Sequence, residues 1–276
     1  MKRGAVMNLL FSIDDTYVDQ WKVTLFSIVH NSNFQELSVY ILQKEALTRN
    51  AEILDFCKRL GVTYYPVIIG KDEFQDALTS KRYPETIYYR LIAHEYLPQN
   101  LDKVLYIDAD ILCLNDISTI YEMKLDDFLY AAASHIADSN IRDLINKARL
   151  GNFEATSYVN SGVLLMNLEQ IRKTVKREDI MDYIATNGPL LFLPDQDVLN
   201  ALYGHQILLV ADEIYNFDAR YHAYYYAKTA GLIDADWIVQ NTVFLHYCGK
   251  DKPWKKNARG KFSFIYKHYQ RLTHKV

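Results

Sequence analysis

The chain has 276 residues, of which 50% are hydrophobic and 24% are charged. This balance is typical of a folded globular protein and excludes a disordered or fibrous chain. The formal net charge is −3, so the chain has no overall basic excess and no nucleic-acid partner is expected.

Cysteine spacing and apolar runs limit the environment in which the chain is expected to work. Cys57, Cys113 and Cys248 share no CxxC spacing, which argues against a disulfide framework or a zinc knuckle and fits a reducing cytoplasm. The apolar stretch near the start is soon interrupted by Asp14 and Asp15, so we interpret it as a strand rather than a signal peptide. No run reaches the ~18 apolar residues of a membrane span.

Strand and helix patterns alternate through the first half of the chain. This alternation predicts an α/β fold in which helices cover the faces of a parallel sheet. Thr48 is the predicted N-cap of the second helix, and Gly61 is its predicted stop. The predicted elements are, in order, a strand in AVMNLLFSI, a helix with Tyr17, Trp21, Leu25, Ile28 and Val29 on one face, a strand in LSVYIL, a helix in TRNAEILDFCKRLG, a strand in VTYYPVI, a helix near 85–96 and a strand in KVLYID.

The second half is less regular. Further strands are predicted in FLYAAAS and SGVLLMNL, and further helices near 168–186 and 195–203. The polar stretch 135–157 between the two strands suits a lid or an acceptor-binding loop. The chain shows neither an internal repeat nor a Pro/Gly-rich linker, so residues 1–249 are predicted to form one domain.

Residues 250–276 are predicted to form a chemically distinct C-terminal extension. They contain nine Lys or Arg residues and one acid, Asp251, interleaved with Trp254, Phe262, Phe264, Tyr266 and Tyr269. Such a segment suits peripheral contact with an anionic membrane surface. A basic helix docked on an acidic domain explains the same composition equally well, so both interpretations stay open.

The stretch 104–114, VLYIDADILCL, places two carboxylates inside an apolar run. Residues i and i+2 of an extended chain share a face, so Asp108 and Asp110 project together, roughly 6 to 7 Å apart. Such carboxylates repel each other unless a cation lies between them, and hard oxygen ligands suit Mg²⁺ or Mn²⁺. Alternatively, the strand has already ended and both acids are solvated. Open sheets bind ligands at the carboxyl ends of their strands, where this stretch and SIDDTY at 12–17 are both predicted.

Five motifs follow one another along the chain: FSIDDTY at 11–17, YIDADIL at 106–112, YVNSGVLLMNL at 158–168, PDQDVLN at 194–200 and HYCGKDKPW at 246–254. In type and order they resemble glycosyltransferase family 8. The resemblance implies a retaining, metal-dependent enzyme that uses a UDP-hexose, as do the bacterial lipopolysaccharide galactosyl- and glucosyltransferases and the glycogenins of this family. It also implies the GT-A (nucleotide-diphospho-sugar transferase) fold, a single domain with a mixed, mostly parallel, Rossmann-like sheet flanked by helices.

The resemblance also implies a metal site. Asp108 and Asp110 would bind Mn²⁺ together with His246, whose imidazole makes Mg²⁺ the less suited alternative. Lys252 matches the lysine that reaches the diphosphate, and Gly249 allows close approach of the backbone there. Without the resemblance, Lys252 is one more charge of a basic tail, and a lone histidine is usually a structural residue.

The donor-binding residues implied by the resemblance come from three motifs. Relatives often have Ala at the position of Ser12 and Asn at the position of Thr16, so Asp14 is the better supported nucleoside ligand. Tyr17 stacks near the base or lies on the apolar face of the first helix. Arg90 contacts the donor and Asp108, or is a helix-surface arginine. The implied donor-binding set is Ser12, Asp14, Thr16, Tyr17, Arg90, Asp108, Ala109, Asp110, Asn160, Gly249 and Lys252.

Asn160, Asp195 and Gln196 match the residues that surround the transferred sugar, and Asp195 and Gln196 are the predicted catalytic pair. Retention requires either a double displacement or attack on the face from which the phosphate leaves. An uncharged amide is a poor nucleophile, so same-face attack is favoured, with Gln196 acting electrostatically. Asp197 belongs to the same motif but is interpreted as a helix-start acid.

These expectations describe a hexosyltransferase that moves glucose or galactose from a UDP-sugar to a hydroxyl of a glycan or glycolipid. It would work in the cytoplasm or peripherally on the inner face of the membrane. One alternative is a glycogenin-like self-glucosylating protein, because RYHAYYYAKT at 220–229 is rich in tyrosine. Others are a metal-dependent nucleotidyltransferase or sugar-nucleotide hydrolase, and a nucleotide-binding module without turnover. A Rossmann dehydrogenase is disfavoured because no GxGxxG motif follows a strand.

Overall fold

The computed structural model describes residues 4–70, 73–74, 84–135, 146, 149–152 and 154–276. A seven-stranded sheet forms the centre of the protein, with strand order β3-β2-β1-β4-β7-β6-β8, and a three-stranded sheet has the order β5-β10-β9. The strands are β1 (Ala5–Ser12), β2 (Phe34–Gln43), β3 (Thr63–Ile68), β4 (Lys103–Ile107), β5 (Ile111–Cys113), β6 (Tyr130–Ala133), β7 (Val163–Asn167), β8 (Ile207–Val210), β9 (Phe217–Asp218) and β10 (Phe244–His246).

The large sheet is mixed and mostly parallel, as expected. The pairs β2–β3, β1–β2, β1–β4 and β6–β8 are parallel, whereas β7 is antiparallel to both of its neighbours, β4 and β6. Because β7 runs the opposite way, its first residues lie at the edge where β4 ends, and the Asp108 amide donates to the Gly162 carbonyl (2.8 Å). The antiparallel strand therefore brings the chain around 160–162 to the DAD stretch.

Helices cover both faces of this sheet. The α-helices that lie entirely within the described residues are α1 (Val18–Asn31), α2 (Asn50–Leu60), α3 (Tyr89–Tyr96), α4 (Ser118–Tyr121), α5 (Leu168–Thr174), α6 (Arg177–Asn187), α7 (Pro194–Tyr203), α8 (Asp212–Tyr215), α9 (His222–Lys228), α10 (Ala235–Asn241) and α11 (Ser263–Thr273). Short 3₁₀ helices are found at Asp15–Tyr17, Glu85–Tyr88, Gly188–Leu190, Gly204–Gln206 and Ala219–Tyr221.

Alternate residues of the central strands enter two different cores. Leu9 and Phe11 of β1 pack with the apolar faces of α1 and α2, whereas Leu10 packs with α3, α5, α6 and α7 on the other face. Successive side chains of a strand point to opposite faces, so a strand covered on both sides must be apolar throughout. This explains why AVMNLLFSI and KVLYI are nearly continuous apolar runs.

Most predicted elements of the first half are confirmed, with one wrong cap. Helix α2 begins at Asn50 with Arg49 at the N-cap, and the amide of Thr48 instead donates to Asp15 Oδ2 (3.2 Å). Gly61 ends the helix in the left-handed conformation (φ 70°), as predicted. In the second half, the helix predicted near 168–186 is two helices, because Val175 is extended at the end of α5. Of the predicted loop 135–157, residues 136–145, 147–148 and 153 lie outside the described residues.

The C-terminal segment 250–276 lies against the rest of the fold through its aromatic side. Phe262 and Tyr266 are buried in a cluster with Phe217 and Leu245 of the small sheet. Tyr269 accepts a hydrogen bond from Asn31 at the end of α1 (2.8 Å). The proposed domain boundary at 249/250 stays a prediction. Among the described residues, no helix combines the length and apolarity needed to cross a bilayer.

Tyr266 provides a test of this packing. Its side chain is fully buried, and its hydroxyl has no hydrogen-bond partner among the residues that the structure describes. Tyr266→Ala should lower the free energy of unfolding by about 3–5 kcal/mol, because it removes a buried aromatic ring. Tyr266→Phe keeps the ring and should leave the stability unchanged or raise it. Urea unfolding measures both variants, and an unfolding free energy of Tyr266→Ala close to that of the wild type would contradict the docking of α11.

Candidate active site

Neighbouring strands bring the sequence motifs to one edge of the molecule. β1 and β4 are parallel neighbours, with Leu10 opposite Tyr106, so SIDDTY and the DAD stretch both follow the carboxyl ends of adjacent strands. In the small sheet, β10 pairs antiparallel with β5 and places His246 opposite Ile111, next to Asp110. Strand register thus brings together residues that are far apart in sequence.

Asp108, Asp110 and His246, called the carboxylate–histidine set below, have ligand atoms that all lie within 4.8 Å of one another. His246 Nε2 lies 3.3 Å from Asp110 Oδ1. Gly162 lies directly against the set, since an added Cβ would be 2.5 Å from His246 Cε1 and 2.9 Å from Asp108 Oδ2. Two carboxylates and one imidazole form a donor set that fits Mn²⁺ better than Mg²⁺.

The electrostatics of this set favour a cation. Burial alone would raise the pKa of Asp110, but Lys252 and His246 lower it below its ordinary value, so the carboxyl group is ionised near neutral pH. Burial would likewise lower the pKa of His246, but Cys248 and Asp110 raise it well above the ordinary value. The imidazole therefore gives up a proton when it binds a metal ion.

Arg90 is buried and joins two acids from different motifs. Its guanidinium lies 3.0 Å from Asp108 Oδ1 and 3.3 Å from Asp195 Oδ2, and it donates to the Ser161 carbonyl (2.7 Å). The alternative of a helix-surface arginine is wrong, because only 6% of the side chain is exposed. Burial raises the pKa of Asp195, with Arg90 opposing that rise. Arg90 therefore holds the DAD stretch against the start of α7.

The predicted sugar-binding residues also meet here. Asn160 Nδ2 donates to Gln196 Oε1 (3.1 Å), and the Ser161 amide approaches the same oxygen at 3.4 Å. The Ser161 hydroxyl donates to Asp195 (2.8 Å). Asp195 and Gln196 are 8% and 7% exposed, so both lie at the inner wall of the site.

Asn216, which no sequence pattern singled out, connects the predicted sugar-binding residues to the carboxylate–histidine set. Its Oδ1 lies 2.9 Å from His246 Nδ1, and its Nδ2 donates to Asn160 Oδ1 (2.9 Å). The Gly162 amide also donates to Asn160 Oδ1 (3.0 Å), which leaves Asn160 Nδ2 to donate to Gln196. This polarity keeps a proton on His246 Nδ1, so the proton given up to a metal ion is the one on Nε2. No spacing pattern marks Asn216, which lies 30 residues before His246.

The predicted nucleoside-binding residues form a turn directly after β1. Asp14 caps this turn by accepting from the Thr16 amide (2.9 Å) and hydroxyl (2.5 Å). The Ser12 hydroxyl donates to the Thr86 carbonyl (2.6 Å). Tyr17 is 37% exposed and contacts Trp254 edge-on, with ring centroids 6.1 Å apart, so it lies at the mouth of the site rather than in the core.

Lys252 points into the site rather than into solvent. Its ammonium pairs with Asp110 and donates to the Tyr247 carbonyl (2.9 Å), and 16% of the side chain is exposed. The alternative of a solvated tail charge is therefore wrong. Gly249 has φ 85°, a conformation that favours glycine. Ala109 lies between the two acids, and its carbonyl accepts from the Thr24 hydroxyl (3.1 Å).

Asp197 stabilises the start of α7, as its interpretation as a helix-start acid predicted. It is fully buried, pairs with Arg149 (2.7 Å) and accepts from the amides of Phe192 (2.7 Å) and Leu193 (3.1 Å). It also accepts from the Tyr158 hydroxyl (2.6 Å). These contacts fix the backbone that carries Asp195 and Gln196.

Substitutions of Asn216 test this connection. Asn216→Ala removes the acceptor for His246 Nδ1 and should weaken Mn²⁺ binding by about 10–100-fold. Asn216→Asp keeps that acceptor but places a carboxylate against Asn160 Oδ1, so Mn²⁺ affinity should hold while kcat falls. Calorimetric Mn²⁺ titration and steady-state kinetics separate the two effects. Wild-type Mn²⁺ affinity in Asn216→Ala would show that Asn216 has no role in orienting His246.

Comparison with known proteins gives relatives along nearly the whole chain. The lipopolysaccharide 1,2-glucosyltransferase of Escherichia coli is 28% identical over 260 residues, which cover 90% of this chain and 73% of that protein. General stress protein A of Bacillus subtilis is 24% identical, with 99% of this chain and 96% of that protein covered.

Solved structures share the fold. The crystal structure of the galactosyltransferase LgtC in complex with donor and acceptor sugar analogs superimposes with a TM-score of 0.79 at 20% identity, and the match covers 96% of each chain. That structure and this one have the GT-A fold. The model of glycosyl transferase family 8 matches residues 8–258. The chain therefore belongs to glycosyltransferase family 8 and is a glycosyltransferase.

Proposed function

We propose that the protein transfers a hexose, glucose or galactose, from a UDP-sugar to a hydroxyl of a glycan or glycolipid, with a divalent metal and with retention of configuration. The observation that carries this proposal is the convergence of the carboxylate–histidine set and Lys252 on one point at the carboxyl ends of β1 and β4. The names of relatives, a lipopolysaccharide 1,2-glucosyltransferase among them, favour an acceptor of the lipopolysaccharide type.

The donor-binding groups have complementary charges. The carboxylate–histidine set would hold Mn²⁺, which when bound supplies positive charge to a departing diphosphate. Lys252, now paired with Asp110, is placed to exchange that partner for a phosphate oxygen. Asp14 and Ser12 at the neighbouring strand end would hydrogen-bond the nucleoside, and Tyr17 at the mouth would cover it.

The orientation of Gln196 supports same-face attack. Its Oε1 accepts from Asn160, and its side chain also hydrogen-bonds to the Tyr158 hydroxyl. Since the Tyr158 hydroxyl donates to Asp197, it accepts from the amide nitrogen of Gln196. The side-chain amide of Gln196 therefore cannot flip. A fixed, uncharged carbonyl oxygen stabilises an oxocarbenium-like sugar electrostatically without forming a bond to it. The leaving phosphate oxygen then takes the proton of the acceptor hydroxyl, so no separate base is needed.

Part of the C-terminal surface suits an anionic membrane. Its aromatic side is used in packing, and the Lys and Arg residues of 250–276 other than Lys252 are exposed. Phe264 is 69% exposed among them. We propose that this surface holds the enzyme peripherally on the inner, anionic face of a membrane that carries the glycolipid acceptor.

A self-glucosylating protein is the second candidate. Tyr224 and Tyr226 in the tyrosine-rich helix α9 are 47% and 49% exposed, so their hydroxyls are accessible acceptors. Intact mass after incubation with UDP-glucose separates the two candidates, because only self-glucosylation adds hexose to the chain.

Incubation with a panel of UDP-sugars tests the main proposal. UDP-glucose or UDP-galactose with Mn²⁺ should release UDP in an acceptor-dependent manner, and chelation of the metal should abolish the release. Asp110→Asn should lower the rate by about 100-fold or more, because a charge at the metal is lost. Asp127→Asn, an exposed aspartate before β6, is the matched control and should keep wild-type activity. Release of pyrophosphate instead of UDP would indicate a nucleotidyltransferase.

Sedimentation with lipid vesicles tests the membrane contact. The protein should sediment with vesicles that contain an anionic lipid and not with purely zwitterionic ones, and binding should weaken as salt is raised. Lys267→Glu combined with Arg271→Glu, on exposed positions of α11, should reduce binding by about tenfold or more, since each charge near the surface contributes about 1 kcal/mol. Equal binding to both vesicle types would exclude an electrostatic membrane contact.

A further inference from the structure

A second cluster of metal-ligand residues lies beside the carboxylate–histidine set and shares no residue with it. It consists of His135, Asp218 and Cys248, whose nitrogen, oxygen and sulfur atoms all lie within 4.8 Å of one another. His135 follows β6, Asp218 ends β9, and Cys248 follows β10. The transferase proposal gives none of these three residues a role.

The imidazole of His135 is held in one tautomer. Its Nε2 contacts the backbone carbonyl oxygen of Asn216, and because a carbonyl only accepts, this nitrogen carries the proton. In the neutral ring, Nδ1 therefore presents a lone pair.

That lone pair faces a carboxylate. His135 Nδ1 lies 3.8 Å from Asp218 Oδ2, and the two side chains are 8% and 0% exposed. Each of these two atoms can offer a lone pair to a cation placed between them. Arg220 already contacts both oxygens of Asp218: its amide (2.9 Å) and Nε (2.9 Å) donate to Oδ1, and Nε (3.1 Å) and Nη2 (2.5 Å) donate to Oδ2. The Arg220 side chain is 50% exposed, so a cation bound at Oδ2 would replace Nη2 while the contacts to Oδ1 remain.

The third ligand determines the kind of ion. Cys248 is partly exposed, and its side chain hydrogen-bonds to that of His246. Thiolate together with imidazole and carboxylate suits Zn²⁺ and related thiophilic ions, whereas Mn²⁺ prefers oxygen ligands. The two neighbouring sets therefore differ in the metal that they favour.

We propose that His135, Asp218 and Cys248 bind a thiophilic divalent cation of the Zn²⁺ type, separately from the carboxylate–histidine set. On binding, the Cys248 sulfur exchanges its proton, which goes to solvent, for a bond to the metal. Three protein ligands leave the fourth position of a tetrahedral Zn²⁺ open to water or another oxygen donor. This site does not depend on which reaction the enzyme catalyses.

Co²⁺ is a spectroscopic probe for this site, used with the Asp110→Asn variant, in which the carboxylate–histidine set is weakened. This variant should bind Co²⁺ with a thiolate-to-cobalt charge-transfer band and the strong visible bands of tetrahedral Co²⁺, and Zn²⁺ should displace the Co²⁺. In the same background, Cys248→Ser should abolish the charge-transfer band, and His135→Ala should weaken Zn²⁺ binding by about tenfold or more. Cys57→Ala, at a buried cysteine of α2, is the matched control and should change neither.

Three results would overturn the proposal. The first is that the Asp110→Asn variant, shown to be folded by circular dichroism, does not bind Zn²⁺. The second is a charge-transfer band that persists in Cys248→Ser. The third is a band that is present in the wild type and lost in Asp110→Asn alone, since Cys248 would then serve the carboxylate–histidine set.

Discussion

Three carboxylates meet at the carboxyl edge of the sheet, and the site depends on the cations that keep them together. Asp108, Asp110 and Asp195 are 26%, 14% and 11% exposed at their side chains. An uncompensated buried charge costs several kcal/mol. Arg90 pairs with Asp108 and Asp195, and Lys252 pairs with Asp110, so each of the three carboxylates has a cationic partner.

The topology explains why these groups can come from distant parts of the chain. β4 ends in the DAD stretch, and the antiparallel strand β7 begins beside it, which brings Asn160 and Gly162 to the carboxylate–histidine set. The small sheet adds His246 through the pairing of β10 with β5. The hydrogen bonds through Asn216 then connect His246 to Asn160 and Gln196. A metal ion and a sugar bound here would be held by one connected network.

Much of the fold follows from local patterns, because the mostly apolar strands β1, β2 and β4 alternate with amphipathic helices. The small sheet was not predicted, since strands of two or three residues are too short to show a periodicity. The prediction of Thr48 as the N-cap of α2 was wrong, because the backbone amide of Thr48 donates a hydrogen bond to Asp15, which lies far away in the sequence. A break such as the one after α5 also depends on tertiary contacts more than on local sequence.

Asp108 and Asp110 could be recognised from the sequence alone, because carboxylates at the end of a buried strand need an explanation, whereas only the family resemblance singled out Asp195. His246 and Lys252 could not, since Lys252 lies 142 residues from Asp110, and only the family resemblance singled them out. Neither the sequence patterns nor the family resemblance singled out Asn216. An asparagine has no spacing signature, and its importance arises only from the groups on either side of it in the folded chain.

Donor binding would rest on one divalent ion that the carboxylate–histidine set holds and that contacts the diphosphate. Anomalous diffraction at the manganese edge, from crystals grown with MnCl₂ and UDP, would locate this ion. We expect a single strong peak bonded to Asp108, Asp110 and His246 and to both phosphates. A diphosphate bound without this peak, or a peak that His246 does not reach, would rule out such a site.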